Sequence, residues 1–135
     1  MLKVLSLLSI ILMIIAISVP THGEVDWSPT KTNVRVENQL GTNVFIHCKS
    51  SDSDLGDHNV FNNDYVEWSF RANIRGTTSF SCALFWGDNV HQNIVIYDAK
   101  IDETLCISKC LRVLKPDGAY FYHQYKDSWE KRYSW

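Results

Sequence analysis

The sequence predicts an all-β fold, a small antiparallel β-sandwich of about seven to eight strands with two disulfides. Three observations support this. Short segments alternate apolar and polar residues with a period of two, and turn-forming residues separate them. No segment carries a long apolar period of 3.6, which would predict a helix. Four cysteines follow an N-terminal segment that indicates secretion, so they can pair.

The N-terminal segment has the features of a secretory signal peptide. Lys3 precedes an uncharged, largely apolar run over residues 4–19, and Pro20 ends this run. Thr21 and Gly23 place small residues around a cleavage site. We therefore predict a signal peptide over residues 1–23.

A membrane anchor is the alternative for this segment. Residues 4–19 are fewer than the roughly 20 apolar residues of a spanning helix, and three serines interrupt them. No second hydrophobic run of that length follows. We expect no stable membrane insertion, and residues 24–135 are predicted to form a single domain.

Charge excludes one class of partner. The sequence has 13 lysines and arginines, and one of them is Lys3. Residues 24–135 therefore contain 12 basic and 15 acidic residues, which gives a formal charge of −3. The basic residues form no block, so nucleic acid is not an expected partner. We expect a monomer.

The first two predicted strands lie on either side of a polar turn. Residues 33–37 alternate polar and apolar side chains, and residues 38–43 are typical of a turn. In the next segment Val44, Ile46 and Cys48 share one face. The spacing predicts that these two strands form a hairpin.

The remaining elements follow the same logic. Residues 50–64 are polar and predict a loop, and residues 98–104 predict a charged loop. The tail over residues 126–135 has no clear pattern and is predicted either to end on the domain or to extend from it. Further strands are predicted at 65–71, 79–86, 93–97, 109–114 and 119–124, with Trp68, Phe70, Phe80, Leu84 and Trp86 in the core.

The four cysteines allow three pairings, and spacing alone does not choose among them. Cys48 and Cys82 lie on core-facing positions of their strands, whereas Cys106 and Cys110 flank only three residues. We expect Cys82–Cys106 and Cys48–Cys110, because the two close cysteines can each reach a different strand. A zinc site is the alternative, but the sequence has no Cys-x-x-Cys motif and secretion favours disulfides.

The sequence contains no catalytic motif that we can identify. It has no Gly-x-Ser-x-Gly elbow, no His-Glu-x-x-His and no glycine-rich phosphate loop. His47 and His91 are candidates for acid–base chemistry by residue type alone. The Asp-Ser-Asp segment at 52–54 resembles the start of a calcium loop but lacks the later glycine and glutamate. We expect no catalytic residues, no metal and no cofactor.

Eight short segments, in this order, resemble the plant self-incompatibility S1 family, the S-protein homologues. Two positions differ from the family pattern: Ser81 stands where a Trp often precedes the second cysteine, and Arg112 where an aromatic residue often follows the last one. The matching segments are Val-Arg-Val-Glu-Asn at 34–38, His-Cys-Lys-Ser to Asp-Leu-Gly at 47–56, Trp-Ser-Phe at 68–70, Gly-Thr-Thr to Cys at 76–82, Phe-Trp at 85–86, Tyr-Asp at 97–98, Cys-x-x-x-Cys at 106–110 and Asp-Gly at 117–118.

The resemblance implies a small secreted β-sandwich that is not an enzyme. The best-understood members of the family are secreted by the pistil and trigger rejection of self pollen through a pollen-surface receptor. The implied function is therefore a ligand-like protein for an as yet unidentified cell-surface receptor protein. Two alternatives are a small secreted hydrolase (a nuclease or glycosidase) and a defence or sugar-binding module.

Receptor-binding residues are predicted in three polar loops, at 51–57, 98–104 and 115–118. The candidates are the acidic Asp52, Asp54, Asp57 and Asp117, and the basic Lys115. For residues 54–57 there is a purely structural alternative, in which Asp54 binds backbone N–H groups and a glycine supplies a positive φ.

Overall fold

The computed structural model describes residues 31–135, which contain nine strands and one helical turn. The predicted signal peptide over residues 1–23 lies outside this range. Within residues 31–135, no helix has the length and apolar character needed to cross a bilayer. The elements are β1 (Lys31–Asn38), β2 (Val44–Lys49), β3 (Asp54–Val60), β4 (Tyr65–Arg71), β5 (Ser79–Trp86), β6 (Val90–Asp98), α1 (Ala99–Asp102), β7 (Cys110–Lys115), β8 (Gly118–His123) and β9 (Ser128–Ser134).

The strands form two sheets, which confirms the predicted all-β fold. The five-stranded sheet has the order β4-β1-β7-β8-β9 and the four-stranded sheet the order β3-β2-β5-β6. Pairs are antiparallel except β1 with β7, which run parallel. Nine strands form rather than seven to eight, because β3 and β9 lie in segments whose sequence predicted no strand.

The core lies between the inner faces of the two sheets. Alternate residues of each inner strand point into it, as the period of two predicts. Phe80 and Leu84 are buried, whereas Trp68, Phe70 and Trp86 are partly buried against them. The Phe70 and Phe80 rings lie 4.7 Å apart, and other fully buried members are Val34, Val36, Val44, Ile46, Ile96, Leu114 and Ala119.

The predicted hairpin of the first two strands is wrong, because β1 and β2 belong to different sheets. The buried side chain of Asn38 turns the chain between them. Its amide donates to the carbonyl oxygens of Thr42 (2.7 Å) and Val60 (2.9 Å), and its oxygen accepts from Leu40 N–H (2.9 Å). These bonds satisfy backbone groups of the connecting turn and of the end of β3.

The segment predicted as a loop over residues 50–64 contains strand β3. This strand lies at the edge of its sheet and pairs only with β2, and of its seven residues only Val60 is buried. Only its backbone hydrogen bonds to β2 make this segment a strand, and its sequence has no alternation of apolar and polar residues from which a strand could be predicted. The tail beyond residue 126 likewise pairs with β8 as β9.

The predicted disulfide pairing is wrong, although the count of two is confirmed. Cys48 is bonded to Cys82, and Cys106 to Cys110. Cys48 and Cys82 are directly opposite each other on neighbouring strands β2 and β5, with Cα atoms 4.0 Å apart. The other pair closes the short turn that precedes β7. Neither Cys82–Cys106 nor Cys48–Cys110 forms.

Candidate functional site

The residues predicted to bind a receptor lie at opposite ends of the sandwich. Lys49, at the end of β2, pairs with the start of β3, so the loop with Asp52 lies at this Lys49 end. Asn38 pairs with Leu114, which places the β7–β8 turn with Lys115 and Asp117 at the other, Asn38 end. Five residue steps along β2 separate the two ends by about 17 Å. The structure therefore does not bring all candidates together.

The loop at 50–53 is compact and exposes one carboxylate. Ser50 Oγ accepts from the N–H groups of Asp52 (3.3 Å) and Ser53 (3.1 Å), and Ser50 N–H donates to Ser53 O (2.8 Å). Within residues 31–135 the carboxylate of Asp52 has no hydrogen-bond or ion-pair partner. It is therefore available to another molecule.

Asp54 and Asp57 bind the two ring nitrogens of His47, and we call these three residues the His47 cluster. His47 Nε2 lies 2.5 Å from Asp54 Oδ1, and Nδ1 lies 2.8 Å from Asp57 Oδ1. Both ring nitrogens therefore have a carboxylate neighbour, and both carboxylates remain largely exposed.

A β-bulge brings both carboxylates to His47. The β2–β3 register shifts between His47 and Lys49, and Gly56 there has a φ of +76°, which glycine adopts readily. Gly56 N–H donates to Asp54 Oδ1 at 2.9 Å. The pKa of Asp54 is held below its usual value chiefly by this bond and, to a smaller extent, by the hydrogen bond with His47. The structural alternative for residues 54–57 is confirmed in geometry, and a receptor contact remains a prediction.

The predicted loop at 98–104 is largely a structural element. Asp98 accepts from Lys100 N–H and caps helical turn α1. Asp102 is buried, accepts from Asp98 N–H (2.7 Å) and Arg132 (2.9 Å), and lies 3.4 Å from Arg112. Most of the polar groups of this segment are thus occupied within the protein.

Arg112, one of the two positions that depart from the family pattern, is the largest fully buried side chain. Its Nε donates to Ile96 O at 2.9 Å, and its guanidinium lies 4.2 Å from the Phe121 ring centre. Arg132 lies 4.1 Å from the same ring. Burial lowers the pKa of Arg112, and the charge of Asp102 offsets part of this effect. Two guanidinium groups and one carboxylate thus occupy this part of the core.

The β7–β8 turn holds its charges close to tyrosines. Asp117 Oδ2 accepts from Tyr120 OH (2.7 Å) and Lys131 Nζ (3.2 Å), and these bonds, in that order, lower the pKa of Asp117. Asp117 in turn raises the pKa of Tyr120. Lys115 Nζ lies 4.7 Å from the Tyr120 ring centre. Asp117 is engaged within the protein, whereas Lys115 has no carboxylate partner among the described residues.

Sequence reasoning missed a groove on the outer face of the five-stranded sheet. Two depressions, of about 330 and 290 Å³, lie side by side and share Arg35 and Leu111. Tyr120 and Trp129 border the first, and Tyr122 borders the second. The signal was present in the sequence, because the residues opposite to the core positions of β8 are aromatic instead of small and polar.

The histidines do not form a catalytic pair. His47 and His91 both border a shallow depression of about 220 Å³ on the four-stranded sheet. They lie two strands apart and two residues out of register, which separates their Cα atoms by about 12 Å. Both nitrogens of His47 are already bound, and His91 packs 4.5 Å from Phe85. Within residues 31–135, no group of three or more His, Cys, Asp or Glu side chains is placed to hold a metal ion.

Comparison with known families decides the assignment. The model for plant self-incompatibility protein S1 matches residues 33–135. The chain belongs to this family. Among its relatives, self-incompatibility protein S1 of Papaver rhoeas is 34% identical over 100 residues, with 72% of each chain covered. S-protein homolog 29 of Arabidopsis thaliana is 32% identical over 136 residues, covering 98% of this chain and 96% of the relative.

The S-protein homologue fold is also found among solved structures. A structure of SPH (self-incompatibility protein homologue) proteins superposes with a TM-score of 0.62 at 18% identity, covering 79% of this chain and 96% of that one. The SPH proteins are a widespread family of small, highly stable, secreted proteins from plants. As an S-protein homologue the chain belongs to a family of small secreted plant proteins that are not enzymes, so the hydrolase alternative does not apply.

Proposed function

We propose that this S-protein homologue is a ligand for a cell-surface receptor protein, in pollen–pistil signalling or a related recognition between cells. The support is its similarity to self-incompatibility protein S1 of Papaver rhoeas. The receptor is a protein, and the contact is made by polar side chains of a rigid sandwich.

The observation that carries this proposal is the exposed acidic segment at the Lys49 end. Asp52 has no partner within residues 31–135, and Asp54 and Asp57 each bind His47 with only one oxygen. The buried Cys48–Cys82 disulfide anchors the strand next to this segment. Carboxylates fixed on a rigid support can meet a basic receptor surface with little loss of conformational entropy.

We propose Lys115 and Asp117 as a second, separable contact at the Asn38 end. Asp117 already binds Tyr120 and Lys131, and Lys115 lies over the Tyr120 ring, so both groups are partly engaged within the protein. We therefore assign the larger contribution to receptor binding to the acidic segment at the Lys49 end.

The test measures binding of the purified, oxidised protein to the surface of responsive cells. A variant combining Asp52→Asn, Asp54→Asn and Asp57→Asn keeps hydrogen-bond acceptors and removes the charges. We expect its association rate to fall by about tenfold and its salt dependence to weaken, because surface charges steer association.

Asp88→Asn is the matched control, since Asp88 is exposed in a different turn. Circular dichroism checks that each variant is folded. Unchanged binding by the folded triple variant would remove the acidic segment from the recognition surface. Lys115→Gln and Asp117→Asn, tested separately, decide the contribution of the Asn38 end.

A further inference from the structure

We propose that the groove on the outer face of the five-stranded sheet binds an acidic oligosaccharide, a short chain of uronic acid units. This inference does not rest on the receptor proposal and needs no receptor. It concerns a different face of the molecule from the acidic segment and shares only Lys115 with the second receptor contact proposed at the Asn38 end.

The groove presents aromatic rings in fixed orientations. Tyr120 OH donates to Asp117, and Tyr122 OH donates to Asp127, so both hydroxyl groups are held within the protein. The rings of Tyr122 and Trp129 are packed 5.1 Å apart, and Trp129 remains 48% exposed. Rigid, partly exposed rings offer apolar faces at little entropic cost, and these faces match the C–H face of a pyranose.

The groove carries one more exposed cation than carboxylate. With the buried Arg112 set aside, its charged lining side chains are the basic Arg35, Lys109 and Lys115 and the acidic Glu37 and Glu67. Lys109 and Lys115 have no carboxylate partner within residues 31–135. Arg35 donates to Glu67 from Nε (3.2 Å) and from a terminal nitrogen (3.0 Å), which neutralises that carboxylate. In a chain with a formal charge of −2, this local excess of cations is complementary to a carboxylate-bearing ligand.

The position of the groove favours a saccharide over an extended peptide. It crosses β1 and β7, interior strands whose backbone groups are paired on both sides. A peptide that adds as a strand needs a free sheet edge, which this groove does not offer. Recognition must therefore come from side chains. Rings for stacking and cations for carboxylates are the combination present.

The experiment titrates the purified, oxidised protein with hexagalacturonate, a neutral hexasaccharide of the same length and an oligoglutamate. Tryptophan fluorescence and calorimetry report binding. We expect hexagalacturonate to bind, the neutral sugar to bind more weakly, and raised salt to weaken the acidic ligand selectively. Lys109→Gln with Lys115→Gln should weaken hexagalacturonate binding by about tenfold or more, as loss of hydrogen bonds to charged groups does.

Matched controls separate the groove from general surface effects. Lys49→Gln with Lys100→Gln removes two exposed lysines elsewhere, and should leave affinity unchanged. Trp129→Ala should weaken binding, whereas Phe45→Ala, which removes a 44% exposed ring from the other sheet, should not. The lysine variants, whose changes are on the surface, keep the test valid if Trp129→Ala fails to fold.

Three results would overturn the proposal. The first is no binding of hexagalacturonate. The second is equal affinity for the neutral hexasaccharide. The third is equal affinity for oligoglutamate with the same variant profile, which would reduce the groove to a patch of positive charge. None of these results bears on the receptor assay of the triple variant at Asp52, Asp54 and Asp57, whose changes lie outside the groove.

Discussion

Aspartate side chains lie beside basic side chains in two places in residues 31–135, once in the buried core and once on the surface. Asp102 is 1% exposed and lies between Arg112 and Arg132 in the core. Asp54 and Asp57 flank His47 on the surface, with exposed fractions of 63% and 85%. Breaking a buried ion pair leaves a charge without solvent, whereas an exposed carboxylate exchanges its partner for water. Burial therefore makes the first cluster part of the fold and leaves the second free to meet a partner.

The largest expected effect comes from Asp102→Ala. It removes the charge opposite buried Arg112 and the acceptor for Asp98 N–H, which should lower the free energy of unfolding by about 3–5 kcal/mol. Denaturant unfolding measures the difference. Asp88→Ala, at an exposed turn, should change stability by less than about 0.5 kcal/mol. Equal midpoints for the two variants would contradict the structural role of Asp102.

The disulfide that closes the longer loop should contribute more to the free energy of unfolding than the one that closes the shorter loop. Cys48 and Cys82 are 34 residues apart, so removing their bond by a double change to Ala should cost about 4 kcal/mol on loop-entropy grounds. Cys106 and Cys110 are 4 residues apart, and removing that bond should cost about 2 kcal/mol. Urea unfolding of both double variants gives the comparison. Mass mapping of the unreduced protein that found Cys82 joined to Cys106 would contradict the connectivity.

The smallest effect concerns the exposed cluster. The pKa of Asp54 is lowered in the folded protein, so the ionised group stabilises the fold above its unfolded pKa, and this contribution is lost as pH falls through the folded pKa. His47→Gln should raise the pKa of Asp54 only part of the way to its usual value, because Gly56 N–H remains bound. NMR titration of the carboxyl group measures this. An unchanged Asp54 pKa in the variant would exclude His47 as a cause.

Only part of the candidate site could be predicted from the sequence. Asp54 and Gly56 were identified from sequence as a structural pair, because an aspartate two residues before a glycine is a local motif. The contact of Asp54 and Asp57 with His47 was not identified, since it depends on the bulge in the β2–β3 pair. The groove lined by Tyr120 and Trp129 was missed for a related reason. It exists only when β1, β7, β8 and β9 lie side by side in one sheet.

The sequence by itself determined which face of each regular strand is buried, because alternation is a property of neighbouring residues. Val44, Ile46 and Cys48 pointed inward as predicted, as did Phe80, Cys82 and Leu84. The tertiary structure alone decided which strands are neighbours, and hence that Cys48 bonds to Cys82. Pairing joins residues distant in the chain, and its free energy depends on the whole packed core and not on a local pattern. Edge strand β3 belongs to the same class, because only its hydrogen bonds to β2 make it a strand.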